Sequence, residues 1–421
     1  MKQSLKALIA FALSVVLFFC LCSCGEKGDP KQKPVALAIV VGNHANAQLP
    51  SVSVQDNIMR SVLDKMGNNQ EPSTPSVLAA FRADGSPCRV NLLDENAKDW
   101  NIYVDPYPVR VNNTQKAGIM EEIIKPQIAS WASYIGSADA SKDVTRAQMA
   151  EVDTLGAIYE AAQWLRTQSG FDKYLFIYDS GLATAGHLNF LDHNTLYSSE
   201  AKIEALKSGG FLPHLQDTQV YWYGFGAVSE PQDKLKDLLA GNNLDRVIEN
   251  IWESVLTQSD AKLDNWIQSF SAGNTAPSTD YPHVSVLRFS AVLPEAKLEF
   301  VGDQATFVNP AKAKEALMPV AEYITKNPSF KGLIVGTTAR RGVSDGISLS
   351  LKRAEAAKKL LIEIGVNPAQ LQTVGLGSYH RWYKDDTNSE EAARENRRIY
   401  LLDIQSEDAK AILEGRFGEG S

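Results

Sequence analysis

Four short stretches hold residues whose types and spacing could support chemistry. In YDSGLAT (Tyr178 to Thr184) a serine follows an acid, but the Gly-x-Ser-x-Gly frame that raises a nucleophilic serine on a tight turn is missing. In GLGSYH (Gly375 to His380) Ser378 stands two residues before His380, on one face if the segment is a strand. No acid close in sequence orients that imidazole. His187 and His193 lie six apart, which is not a spacing of metal ligands. Cys88 has no histidine or second cysteine near it in sequence, so it reads as a small, half-buried residue and not as a reactive thiol. There is no glycine-rich phosphate loop, and the many Glu and Asp pairs read as surface helix residues. The expectation is not an enzyme, and no cofactor is implied. A hydrolase working from a cleft in the first half of the chain is the least favoured alternative.

The other three of the four cysteines, Cys20, Cys22 and Cys24, all fall in the first 24 residues, so the body of the protein has no disulfide framework. Lys2 and Lys6 precede an apolar run, Ala7 to Leu21, that is short for a membrane span. This pattern is a secretory signal. Its end, LCSC, resembles the lipobox of bacterial lipoproteins. That resemblance implies a signal peptide of residues 1–23 and acyl chains, palmitate among them, on Cys24, which would hold the protein stably at a membrane. Residues 24–33 continue as a polar, Pro- and Gly-rich tether. The formal net charge of −8, with no basic stripe carrying interleaved aromatics, argues against nucleic acid as a partner.

Residues 34–270 read as one α/β domain. Val35 to Val41 is a continuous apolar run, as in a strand buried on both faces. Leu155, Ile158, Ala162 and Leu165 form a helical stripe. Asp172 to Gly181 and Gln219 to Tyr223 supply further strands ending in turns. Strands alternating with helices predict a mostly parallel sheet. The segments VDTLGAIYEAAQWL, KYLFIYDSGLATAG and VYWYGFG resemble von Willebrand factor A (vWA) domains, which implies a Rossmann-type sheet, a role in protein contact and, in many members, a divalent cation at the top of the sheet. Of that family's ligand pattern, Thr154 and Asp179 match, while GNHAN (Gly42 to Asn46) carries no carboxylate or hydroxyl at the first position. Two ligands are few for a hard cation that takes about six oxygens. No metal is expected, and Thr154 and Asp179 read as a helix cap and a turn cap.

SAGNTAPSTDYP and its neighbours, residues 271–283, form a linker, and residues 284–421 a second domain. Asn309 followed by Pro310 marks a helix start. Five ordered stretches, VNPAKAKEALMPVAEYI, LIVGTTARRG, LSLKRAEAAKKLLIEIGV, LQTVGLGS and ARENRRIYL, resemble the OmpA-like, peptidoglycan-binding domain. The resemblance implies an α+β layout, β-α-β-α-β-β. It also implies a ligand, the diaminopimelate of the wall peptide, whose ammonium is held by an Asp in the first turn and whose carboxylate is held by the Arg of the second helix. Arg353 matches that arginine. Gly336 and Thr338 match the turn, but Thr337 replaces its His, Ala339 its Asp, and Gly346 stands where an Asn is usual.

Losing one partner of a desolvated charge pair removes roughly 2–5 kcal/mol. The expectation is therefore a weakened or altered pocket in which Arg353, Arg340 and Arg341 leave a net positive charge, Thr338 is a further ligand-binding candidate, Asp345 is a possible substitute acid, and at most one of Arg397 and Arg398, with Arg397 the candidate, faces the ligand. Such a pocket would suit an anionic envelope polymer as well as peptidoglycan. The whole chain reads as a non-catalytic lipoprotein of the cell membrane or outer membrane, on its extracytoplasmic side. It would meet the wall with one domain and another envelope protein with the other. The alternative is a protein–protein scaffold in which both domains have lost their ligands.

Overall fold

The computed structural model describes residues 33–42, 44, 58, 61–62, 65, 76–90, 147–192, 195–196, 199–228, 244–268, 282–340 and 345–418. The signal segment, Cys24, most of the tether, most of the linker, His193 and Arg341 lie outside them, as does the side chain of Cys88. Among the described residues no helix is long and apolar enough to cross a membrane.

The first domain is built on six strands, β1 (Val35–Val41), β2 (Val77–Arg82), β3 (Cys88–Val90), β4 (Asp172–Tyr178), β5 (Thr218–Tyr223) and β6 (Ile267–Gln268), in the order β3-β2-β1-β4-β5-β6. Five run parallel and β3 is an antiparallel edge. Every residue of β1 is buried, which is why its sequence is apolar without alternation. Helix α1 (Thr154–Thr167) lays Leu155, Ile158, Ala162 and Leu165 on the sheet as the periodicity predicts. Helices α2 (Ser199–Ser208) and α3 (Leu244–Gln258) complete the described layers. The chain leaves β1 towards β2 on one side and returns to β4 on the other, so the switch point of the winding lies between β1 and β4.

In the second domain β7 (Ser290–Pro294), β8 (Gly332–Thr337), β9 (Leu371–Gly377) and β10 (Arg398–Asp403) form a sheet ordered β7-β10-β8-β9. The expected strand and helix order is present in α4 (Pro310–Lys326) and α5 (Gly346–Ile364). Two short helices, α6 (Glu390–Asn396) and α7 (Glu407–Leu413), are added to it. Each has a local cause: Ser389 and Ser406 accept the N–H groups of Ala392 and Ala409, and acids fill the first turns. Asn309 caps α4 as predicted, its Oδ1 accepting from the Lys312 N–H at 3.0 Å. The sheet has a core on each side. Helices α4 and α5 cover one face, while Trp382, Ile412 and Phe417 pack on the other against Val335, Tyr400 and Leu402.

Two glycines set how closely α5 lies on the sheet. A Cβ on Gly336 would meet the Ser350 carbonyl oxygen at 2.0 Å, and one on Gly375 would meet the Leu351 nitrogen at 2.4 Å. Both obstacles are backbone, so nothing small can give way. Gly336→Ala is expected to destabilise the second domain by about 3 kcal/mol, the upper range of overpacking. The check is its urea midpoint, read from the resonance of 5-fluorotryptophan at Trp382.

Candidate functional site

Helix α5 places Arg353. Asp345 caps the helix, its Oδ1 accepting from the Ser348 N–H at 3.0 Å, and Gly365 closes it in the left-handed region at φ 118°. Ser350, fully buried, fastens the helix to β9: its hydroxyl donates to the Ile347 carbonyl and accepts from the Gly377 N–H at 3.0 Å. Arg353, one turn on, then points off the sheet towards the segment between β7 and α4.

Arg353 is only 7% exposed. Its Nε donates to the Gln304 carbonyl at 3.0 Å, and its guanidinium lies 5.0 Å from the Phe300 ring centre. Neither Nη has a hydrogen-bond partner among the described residues. Burial pulls the pKa of Arg353 down, the nearby Glu295 and Asp303 pull it up, and Arg397 pulls it down. Beside it, Arg397 donates from Nε to Glu295 at 2.8 Å and from Nη2 to Glu390 at 2.9 Å. A void of about 10 Å³ lies among Glu295, Phe300, Thr337, Arg353, Arg397 and Arg398, room for about one water.

Several expectations need correction. The pocket is not a bare cationic one: Arg353 and Arg397 are matched by Glu295, Glu390 and Asp303, which neighbour the site through the fold and not through sequence. Arg340 does not line the void. Its guanidinium sits 4.5 Å from the Tyr383 ring centre and 5.6 Å from that of Tyr379. Thr338 is fully buried and its N–H donates to the Gly377 carbonyl at 2.8 Å, so its hydroxyl is not offered to solvent. Asp345 is engaged as the helix cap. Arg397 and Arg398 both border the void, because Arg397 ends α6 and has not yet entered the alternating strand.

Ala339 is buried. The turn it occupies is held by Asp386, whose Oδ2 accepts from the Arg340 N–H at 2.8 Å and from Asn396 Nδ2 at 3.3 Å, while its Oδ1 accepts from the Tyr383 hydroxyl at 2.6 Å. Asn396 is fixed in turn by the backbone of Lys384. Sequence reasoning missed Glu295, Asp303 and Asp386. Asn396 was visible only as part of the Asn-Arg-Arg motif.

In the first domain the structure brings Thr154 and Asp179 together. The Thr154 hydroxyl donates to Asp179 Oδ1 at 3.1 Å and the Gly181 N–H donates to the same oxygen at 2.6 Å. The helix cap is Asp153, not Thr154: its Oδ1 accepts from the Gly156 N–H at 2.8 Å. Gly42 lies directly over Asp179, where a Cβ would stand 1.8 Å from Oδ2. Burial pushes the Asp179 carboxyl up to about 6. Nearby His44 is buried 3.9 Å from Asp84, which is held by Arg82 at 2.7 Å. Among the described residues no three His, Cys, Asp or Glu side chains are grouped to hold a metal. Ser378 and His380 share no hydrogen bond, and both ring nitrogens of His380 are buried without a partner among the described residues.

Residues 300–397 match the model of the OmpA family. Solved structures similar to this chain include the periplasmic domain of Helicobacter pylori MotB (22% identity, covering 31% of this chain and 93% of that one, TM-score 0.25). The cell wall anchor of the T6SS from Pseudomonas aeruginosa is similar at 18% identity, covering 27% and 78%, TM-score 0.24. The peptidoglycan-associated lipoprotein from Burkholderia pseudomallei is similar at 27% identity, covering 27% and 87%, TM-score 0.22. No curated protein matches the chain. The second domain is thus OmpA-like, joined to a first domain with a parallel α/β sheet.

Proposed function

We propose that the chain is a non-catalytic envelope protein, anchored by lipid on Cys24, whose OmpA-like domain engages peptidoglycan through Arg353 and whose vWA-like domain contacts another envelope protein. The observation that carries this reading is the state of Arg353. Arg353 is 7% exposed and held through its Nε, while both Nη groups lack an acceptor among the described residues and stay open to one from outside. A ligand carboxylate would accept from such a fork in two parallel bonds. Glu295 and Asp303 beside it favour a group that also carries an ammonium, as the free end of a wall peptide does, over a simple polyanion.

The test is sedimentation of the full chain with purified sacculi. Wild type is expected in the pellet, and Arg353→Ala is expected to lose at least about tenfold in affinity, with Arg353→Lys between them because a point charge cannot form the fork. The second reading, a scaffold with no wall ligand, draws on the small size of the void, which must open before it admits a peptide end. Wild type remaining in the supernatant selects that reading.

A further inference from the structure

A second cavity, of about 220 Å³, opens on the first domain far in sequence from the arginine site. It is lined by Pro87, Leu155, Tyr159, Glu160, His187 and Phe211 along with Gly156. Leu155, Gly156, Tyr159 and Glu160 sit on one side of α1, at positions a single helical turn apart. Phe211 is 38% exposed, a large ring that the core does not use. It is nonetheless fixed in place. Its N–H donates to the Leu206 carbonyl at 2.8 Å, and His187 stacks on its face with centroids 3.5 Å apart and an angle of 20° between the planes. Gly156 lets Pro87 and Asp153 pack closely on the helix at the cavity edge, since a Cβ there would meet Pro87 at 2.7 Å and Asp153 at 2.5 Å.

One carboxylate, Glu160, and one ionisable base, His187, stand in the lining. Glu160 is the one carboxylate in the lining and makes no ion pair among the described residues, and Asp153 lies within electrostatic reach of His187. The lining contains neither Lys nor Arg. A preformed aromatic wall, a phenol and an unpaired acid in a space below the usual 300–1,000 Å³ of small-molecule pockets fit one long side chain with a positive head. The aromatic faces attract the cation, the apolar floor takes its methylene stem, and Glu160 accepts from its N–H groups.

We infer that this cavity receives a lysine or arginine side chain presented by a partner protein. The inference deepens the proposed role of the first domain in protein contact, and rests on it for the identity of the presenting molecule. The partner's contact surface is therefore basic at this point, complementary to a chain of net charge −8.

The experiment titrates the full chain, carrying ¹³C-labelled histidine rings, with N-acetyl-arginine amide, N-acetyl-lysine amide and the neutral N-acetyl-norleucine amide. The expected result is a saturable shift of the His187 resonance with the two cationic amides, about tenfold tighter than with the norleucine amide. Glu160→Gln, an exposed substitution that leaves the fold intact, should bring the three amides to parity. Phe211→Ala should weaken all three. Equal binding of the norleucine amide, no saturable shift with either cationic amide, or a preference that survives Glu160→Gln overturns the inference. Cross-linking in envelope extract separates the two claims. Binding of the amides without any captured protein leaves the pocket standing and ends the protein-contact reading. A captured protein with silent amides does the reverse.

Discussion

Acidification from pH 7 to pH 4 is expected to weaken the second domain by about 3 kcal/mol through one residue, His380. This histidine is 1% exposed, and burial alone moves its pKa down from 6.5 to about 4. Its neighbours are the rings of Trp382 at 6.0 Å and Tyr383 at 6.3 Å, and neither offers the imidazole a charge. The unfolded chain takes up a proton near pH 6.5, whereas the folded domain resists until about pH 4. Between those values the unfolded state binds more protons, so stability falls as pH falls. The contribution is whole above pH 6.5 and is gone near pH 4. Each pKa unit is worth about 1.4 kcal/mol, which sets the magnitude. His380→Phe keeps a ring in the space and removes the proton site. Its second domain should lose the slope that wild type shows. The measurement is the urea midpoint at several pH values, followed at 5-fluorotryptophan in position 382. A wild-type midpoint that stays level from pH 7 to pH 4 would refute the assignment. The segment concerned also carries Asp386, which holds the turn at Ala339 and Arg340.

Much of this architecture was legible because its causes are local. An unbroken run of short, mostly β-branched apolar residues suits a strand covered on both faces, and β1 is one. The stripe on α1, the Asn309-Pro310 start of α4 and the order of the OmpA-like motifs all translate into elements at the expected places. Glycines 336 and 375 gain a physical meaning from the structure: they are the contact line between α5 and its sheet. The capping role of Asp345 was also written in the chain, as an acid three residues before a helical serine, but its position near a missing acid suggested a ligand role instead.

The charge of the arginine site was not legible. Counting only cations near the turn made it positive, whereas Glu295 reaches it from just past the end of β7, more than fifty residues earlier in the sequence than Arg353, and Glu390 from α6. Which side chains meet at a sheet end depends on strand order and register, and these are set by packing of the whole domain. Arg340 was misplaced for a related reason. Two tyrosines from the β9–α6 connection offer their faces to it, and a guanidinium takes that position readily. In the first domain the sequence paired the correct two residues, Thr154 and Asp179, but gave Thr154 the capping role that its neighbour Asp153 performs.

The first domain is expected to respond to pH in the opposite direction. Asp179 has the carboxyl pKa raised from 3.8 to about 6 because it lies under Gly42 at the switch point of the sheet, out of water. The hydrogen bonds from Gly181 and Thr154 favour the ionised form but do not offset the loss of hydration. The folded domain therefore binds the proton more tightly than the unfolded chain. Stability is complete below pH 3.8 and falls as pH rises through 6, by about 3 kcal/mol in all. Asp179→Asn keeps an oxygen for the Thr154 and Gly181 donors and removes the titration, so its first domain should show no such fall. Thr154→Ala takes away one donor to the carboxylate and should raise the pKa further, steepening the fall. Trp222, whose Nε1 donates to the Asp179 carbonyl at 2.7 Å, supplies the reporter: its 5-fluoro resonance gives the urea midpoint at this sheet. Between pH 4 and pH 7 the midpoint at Trp222 should decrease in the same samples in which the midpoint at Trp382 increases. His44, whose pKa burial holds below its ordinary value, opposes Asp179 in the same domain, so the comparison is made in a His44→Gln background, where parallel movement of the two midpoints would refute one of the two assignments.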